Sequence, residues 1–276
     1  MRIILFLFLI PTFSRSLSYK IESRDGALNQ VTCSYVAITD PFMLAPKTCY
    51  IWYQKIDAEG FTIDADLDPE TKILNINERQ VEYLPENVAE VFPRLVQYKA
   101  INCQFKIVNE KHFANLNEIE KLDLTDNAIG TIASASFKDL RKLKVLKLSK
   151  NLIRTVDPKW FDSTQNLQEL KLSDNAIDIL DSNCFKNLRN LRKIYLKSNF
   201  LTSIPEDLFI HNFRLESIDF EDNKIDTISP TVFYHLNELK KLDLKENVCI
   251  NRSFSHTKPS TIKKDLEKKC GIKKDV

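Results

Sequence analysis

Charge of one sign is what this sequence lacks. Its 40 lysines and arginines stand against 38 aspartates and glutamates, a formal charge of +2 over 276 residues. Arg2 and Arg15 are the only charged residues before position 19, so the remainder holds 40 − 2 = 38 basic residues against 38 acidic ones. That balance argues against a general binder of nucleic acid or of anionic membrane, which needs excess positive charge. Long apolar runs are missing too. The one candidate, Ile3 to Ile10, follows Arg2 and precedes the small residues Ser16 and Ser18. It is too short to span a bilayer and has the layout of a secretory signal peptide over residues 1–18. The last residues, KKCGIKKDV, carry neither the hydrophobic tail of a lipid-anchor signal nor a retention tetrapeptide. The expectation is a secreted, extracellular, soluble chain without membrane insertion.

Histidine is scarce, with four residues in all. Neither nucleophile-elbow glycines nor zinc-ligand spacing frames His112, His211, His235 or His256. His211 and His235 take the same place in successive units of the repeat described next, but two imidazoles without a third ligand make a poor zinc site. No enzymatic activity, metal or cofactor is expected.

What the sequence has is a period. LKVLKLSKNLI at 143 returns 24 residues later as LQELKLSDNAI and again as LRKIYLKSNFL. Units begin at Thr71, Leu95, Ile119, Leu143, Leu167, Leu191, Leu215 and Leu239 without slippage. Places four and six are apolar and place five is not, which is a short strand turning two side chains inward. Place nine is asparagine from Asn127 to Asn247, with Cys103 and Arg79 before it. A carboxamide there can satisfy backbone groups that leave the strand and would otherwise be buried unpaired. Place nineteen is phenylalanine from Phe113 to Phe233, a row able to fill the volume behind the strands. One such unit cannot bury its apolar face alone, but neighbours stacked edge to edge can. The reading is an α/β solenoid in which eight strand units form a parallel sheet on the concave side.

The ends of a solenoid need closing, since they expose apolar surface and an unpaired sheet edge. Residues 19–70 fall out of register and carry two strand-like stretches joined by a Pro-containing loop; Cys33–Cys49 is expected as a hairpin staple, worth about 3 kcal/mol. Cys249–Cys270 is expected to close the other end around a short helix in PSTIKKDLEKKC with Ser260 as its cap. The domains are then a signal peptide at 1–18, a cap at 19–70, the solenoid at 71–248 and a second cap at 249–276. Cys103 and Cys184 lie more than three units apart, too far to bridge. Cys103 is expected as a buried thiol in the asparagine place, and Cys184 as a half-buried one on the outer side.

The units resemble the typical 24-residue leucine-rich repeats of secreted and cell-surface proteins, over about residues 71–250. The cysteine-bearing ends look like the caps of that class. The first units, FPRLVQYKAINCQFKIV, are most similar to insect secreted leucine-rich-repeat proteins, including the mosquito leucine-rich-repeat immune proteins. The resemblance implies a horseshoe and a role in protein–protein recognition, in innate immunity, adhesion or development. Two features depart from the immune members: there is no heptad-rich C-terminal coiled coil, and each cap holds one cysteine pair.

A ligand would meet the solvent-facing strand places. Their middle is basic, with Lys144, Lys147, Lys150, Lys171, Arg192, Lys193 and Lys197 around Tyr195. The C-terminal third turns acidic with Glu216, Asp219, Glu221 and Asp222. One reading is a bipolar site, in which Tyr195 anchors and Lys147, Lys171 and Lys197 steer an acidic extracellular protein or glycan, with Asp219 and Glu221 on the opposite wing. The other is an ordinary charged face that keeps the sheet soluble. A structural matrix component associating with its own copies is the alternative function. Asn251-Arg252-Ser253 is a glycosylation acceptor.

Overall fold

The computed structural model describes residues 30–31, 34–35, 48–51, 62–63, 69–77 and 83–270. The expected signal peptide and Cys33 lie outside the described residues.

The repeat builds one long sheet. Strands Ile73–Ile76, Gln97–Ala100, Lys121–Asp123, Val145–Lys147, Glu169–Lys171, Lys193–Tyr195, Ser217–Asp219 and Lys241–Asp243 follow one another in parallel. Each residue pairs with the one 24 positions on, as Leu146 does with Leu170. The sheet extends past these eight units. Thr48–Ile51 adds a parallel strand with Cys49 opposite Leu74, and Ser34–Tyr35 adds an antiparallel one with Tyr35 opposite Cys49. At the far end Ser253–Ser255 pairs antiparallel with Lys241–Asp243. The two outermost strands among the described residues thus reverse direction.

Burial follows the period. Places four and six, from Leu74 and Ile76 to Leu242 and Leu244, are fully buried. Behind them the phenylalanines stack along the axis, with ring centroids 6.0 Å apart for Phe113–Phe137, 6.1 Å for Phe185–Phe209 and 6.2 Å for Phe209–Phe233. Between Phe137 and Phe161 the row is bridged by Trp160, whose ring meets both edge-on and whose indole N–H donates to the Ile132 carbonyl at 3.2 Å. Trp160 lies on the 3₁₀ turn Pro158–Phe161, which the Asp157 side chain caps by accepting from the Lys159 N–H.

The asparagine ladder holds each strand exit. Asn175 Nδ2 donates to the carbonyls of Leu148 at 2.9 Å, Leu172 at 3.0 Å and Ser173 at 3.2 Å, while its Oδ1 accepts from Ile153 N at 3.1 Å. Asn151, Asn199 and Asn223 repeat the pattern one unit apart. Cys103 takes this place in its unit, with Sγ 3.4 Å from the Ile101 carbonyl. Just before it, at place eight, the backbone is left-handed in seven successive units: Asn102, Asp126, Lys150, Asp174, Ser198, Asp222 and Glu246 have φ between 53° and 59°. None is glycine. The left-handed residue turns the chain out of the strand and aims its N–H at the next unit, as in Lys150 N to Ser173 O at 2.9 Å.

The C-terminal closure matches expectation except at its cap. Cys249 and Cys270 are bonded, with Cα atoms 5.1 Å apart, and the helix Pro259–Lys269 buries Ile262 and Leu266. Ser260 is not the cap. Lys258 takes that position because Pro259, with its fixed φ and missing N–H, fits the first helical place. Cys49 is disulfide-bonded and fully buried. Cys184 proves buried rather than half-exposed: it is 1% accessible, with Sγ 3.5 Å from the Val156 carbonyl. Burial pushes its thiol up to about 11.

Candidate functional site

The parallel sheet sets the solvent-facing side chains in columns one unit apart. Column five runs Asp123, Lys147, Lys171, Tyr195, Asp219, Asp243 in hydrogen-bonded register. Lys147 and Lys171 are direct neighbours, and each turns away from the other. Lys147 reaches back to Asp123 at 2.9 Å; Lys171 meets Glu169 at 3.2 Å and lies 5.2 Å from the centre of the Tyr195 ring.

The neighbouring columns pair in the same way. In column two Lys144 meets Glu120 at 2.7 Å, and Glu216 accepts both Arg192 and Lys240, the latter at 2.6 Å. In column seven Lys197 meets Glu221 at 3.1 Å, and in column eight the Ser198 hydroxyl donates to Asp222 at 2.8 Å. Lysine and arginine in the middle of the face are therefore matched by acids, Lys171 by one on its own strand and the others by acids of neighbouring units, rather than massed as one basic field. Among the described residues, Lys150 and Lys193 have no ion pair. Column two was readable in the sequence, where Glu120, Lys144, Arg192, Glu216 and Lys240 recur at multiples of 24; signs summed by region conceal it.

Tyr195 is half-buried at the centre. Burial, with the Glu169 carboxylate next, pushes its phenol up. It is the only aromatic among the outward strand places of the eight units. On its far side Asp219 accepts from Glu221 N at 3.0 Å, and its carboxyl is raised by burial first and by neighbouring Asp243 second. Asp243 is buried, accepts from Lys245 N at 3.3 Å and lies 3.7 Å from Lys241. Lys197 is held protonated by its hydrogen bond to Glu221, and Glu216 is held ionised by Lys240 and Arg192. The face joins Lys147, Lys171, Tyr195, Lys197, Asp219 and Glu221 on four adjacent strands.

Away from this face, Asn251 is exposed between the last two strands, its Oδ1 accepting from Glu246 N at 3.1 Å. His235 Nε2 lies 2.8 Å from the Phe209 carbonyl, and its ring meets Phe213 edge-on. No group of three or more metal-ligating side chains occurs among the described residues. No helix among them is long and apolar enough to cross a membrane.

The family described as Leucine rich repeat matches residues 102–153, 117–177, 141–199 and 189–248. Among curated proteins no sequence matches. Solved structures share the fold. TLR13 in its complex with ssRNA13 superposes with a TM-score of 0.61 at 25% identity, over 64% of this chain and 26% of that one. Toll of Drosophila, in the Toll–Spatzle complex, gives 0.57 at 22% identity over 67% and 28%. A leucine-rich-repeat protein of Leptospira interrogans gives 0.58 at 22% identity over 65% and 44%. The alignments thus span less than half of each of these chains. The likeness is one of repeat and fold, and it singles out no insect secreted class.

Proposed function

The chain belongs to the leucine-rich repeat family, and we propose that it serves as an extracellular recognition module that holds a protein partner on its concave sheet. The reading is of binding rather than catalysis. The observation that carries it is the composition of the face: one half-buried tyrosine flanked by paired but accessible charges. Exposed ion pairs contribute only about 0–1 kcal/mol each, so a partner can exchange its own charges into the columns at little cost. Tyr195 then supplies the large amphipathic contact from which interface energy chiefly comes. An innate-immune role is the narrower form of the proposal and rests on the resemblance to insect secreted leucine-rich-repeat proteins. Secretion through the segment 1–18, the domain limits read from the sequence and glycosylation of Asn251 belong to the same proposal.

The test is affinity capture from extracellular fluid with residues 19–276, beside a variant carrying Lys147→Gln, Lys171→Gln, Lys197→Gln and Tyr195→Ala. A partner held by the first and released by the second, with matching circular dichroism, is the expected result. Equal capture by both would move recognition off this face and favour the matrix alternative, which size-exclusion chromatography would then show as concentration-dependent oligomers.

A further inference from the structure

Places twenty-three and twenty-four lie where the chain enters each strand, along one flank of the solenoid. Between the units starting at Leu143 and Leu167, this flank opens into a cleft of about 360 Å³ lined by Gln165, Asn187, Arg189 and Asn190. Three carboxamides and one guanidinium line it, with no aliphatic or aromatic side chain. Small-ligand clefts of about 300–1,000 Å³ are usually walled by apolar groups. Here every lining side chain ends in a hydrogen-bonding group, which favours an occupant that is itself rich in such groups.

Two of the walls are braced. Asn187 Nδ2 donates to Asp162 Oδ1 at 2.9 Å, leaving its carbonyl oxygen to accept. Asn190 Nδ2 donates to the Gln165 carbonyl at 3.0 Å, and its Oδ1 accepts from Arg214 Nη1 at 2.9 Å. A site held this way loses little freedom on binding. The other two groups are free: among the described residues neither the Gln165 carboxamide nor the Arg189 guanidinium has a hydrogen-bond or ion-pair partner. Of the neighbouring arginines, Arg192 and Arg214 each donate to a side chain, whereas the Arg141 guanidinium, one unit before Gln165 in the same place, is unpaired among the described residues like that of Arg189 but is not part of this lining. Arg189 brings a positive charge to a lining that includes no acid, and the neighbouring Asp162 carboxylate is already engaged by Asn187.

We infer that this cleft is a subsite for an acidic saccharide, one sugar unit whose carboxylate pairs with Arg189 and whose hydroxyls meet the carboxamides of Gln165, Asn187 and Asn190. A guanidinium binds a carboxylate through two parallel hydrogen bonds. Carboxamides both donate and accept, as vicinal hydroxyls do, which suits a sugar ring better than a peptide side chain seeking an apolar pocket. A bare inorganic anion would use the guanidinium and leave the amides unmatched. The inference is independent of the concave-face reading, since none of its residues lies on the strands.

Isothermal titration of the full chain with a hyaluronan tetrasaccharide, which alternates glucuronate with N-acetylglucosamine, tests it. Chitotetraose serves as the uncharged counterpart and a triglutamate peptide as the acidic protein mimic. The expected result is saturable binding of the hyaluronan fragment, weakened about tenfold or more by Arg189→Gln and unchanged by Tyr195→Ala, with chitotetraose and triglutamate at least tenfold weaker. Arg189 is exposed and braces nothing, so the variant keeps its fold, which circular dichroism checks. Equal affinity in Arg189→Gln, tighter binding of triglutamate, or no binding of the hyaluronan fragment would each overturn the assignment. Loss of binding in Tyr195→Ala alone would transfer the saccharide to the concave face and overturn the cleft while leaving recognition there intact.

Discussion

Replacing Asn175 with alanine should cost about 3 kcal/mol of folding stability, and the number can be built bond by bond. The carbonyls of Leu148 and Leu172 each accept from two asparagines, their own unit's and the next one's. Removing Asn175 therefore weakens both without stripping either, at about 0.5–1 kcal/mol apiece. Ile153 N donates to Asn175 Oδ1 and, once that oxygen is gone, is left buried and unpaired at about 1–3 kcal/mol. Asn127 is an internal control: its Oδ1 has no partner among the described residues, so Asn127→Ala should cost about 1–2 kcal/mol less. Asn175→Asp sharpens the test, because it keeps the shape and the acceptor for Ile153 N but turns an anionic oxygen toward three carbonyls. That carboxyl gains a folded-state pKa above its unfolded one. Its stability deficit should be largest at neutral pH and should shrink as pH falls through that raised value, where the protonated oxygen can donate again. Urea unfolding followed by circular dichroism at constant slope reads all three variants. An aspartate variant as stable as the parent at pH 7, or an alanine variant losing under about 1 kcal/mol, would refute the ladder as a hydrogen-bonding device and leave it a volume filler.

Three further outcomes are expected. Tyr98→Phe should raise stability by about 1 kcal/mol in the same assay, because the Tyr98 hydroxyl is buried with no partner among the described residues. His112 is lowered to about 4, by burial first, and its Nδ1 accepts from Asn109 N at 3.1 Å. A histidine held neutral in the fold but ionising at its ordinary value when unfolded loses stability as pH falls from about 6.5 to 4; His112→Gln should remove about 3 kcal/mol of that acid sensitivity. Lys150 holds φ at 56°, a region that asparagine tolerates far better, so Lys150→Asn should raise the unfolding midpoint by the equivalent of about 0.5–1 kcal/mol, whereas Asp174→Asn should do little.

The period made most of the fold legible. A leucine, an asparagine and a phenylalanine recurring without slippage define strand, exit and backing row, and nothing but stacking satisfies all three. The Cys249–Cys270 closure was readable because two cysteines flank the end of the register. What escaped sequence reading has no periodic letter. The left-handed place eight is filled by lysine, serine and glutamate as well as asparagine and aspartate, so side-chain identity does not announce it. The strand Thr48–Ile51 sits opposite Ile73–Ile76 at an offset of 25 rather than 24, and a fixed-register reading cannot extend to it. The flank cleft assembles residues whose types are common anywhere, and only their convergence in space distinguishes it. The candidate residues of the concave face were all visible, but their pairing across strands was not, because signs tallied by region hide what columns reveal.

Those columns make the units unequal in a way their shared backbone does not. Suppose the array were edited by deleting one unit, as recombination between repeats can do. Loss of residues 143–166 would set Asp123 beside Lys171 in column five, an opposite-charge neighbour much like the one it lost. Loss of residues 215–238 would remove Glu216 and Glu221 together, abutting Arg192 with Lys240 in column two and Lys197 with Lys245 in column seven. Like charges directly opposite on adjacent strands destabilise a sheet. The main chain would close over either gap equally well, but the surface would heal over only the first. That makes the unit beginning at Leu215 far less dispensable than the one beginning at Leu143, although the two share one backbone.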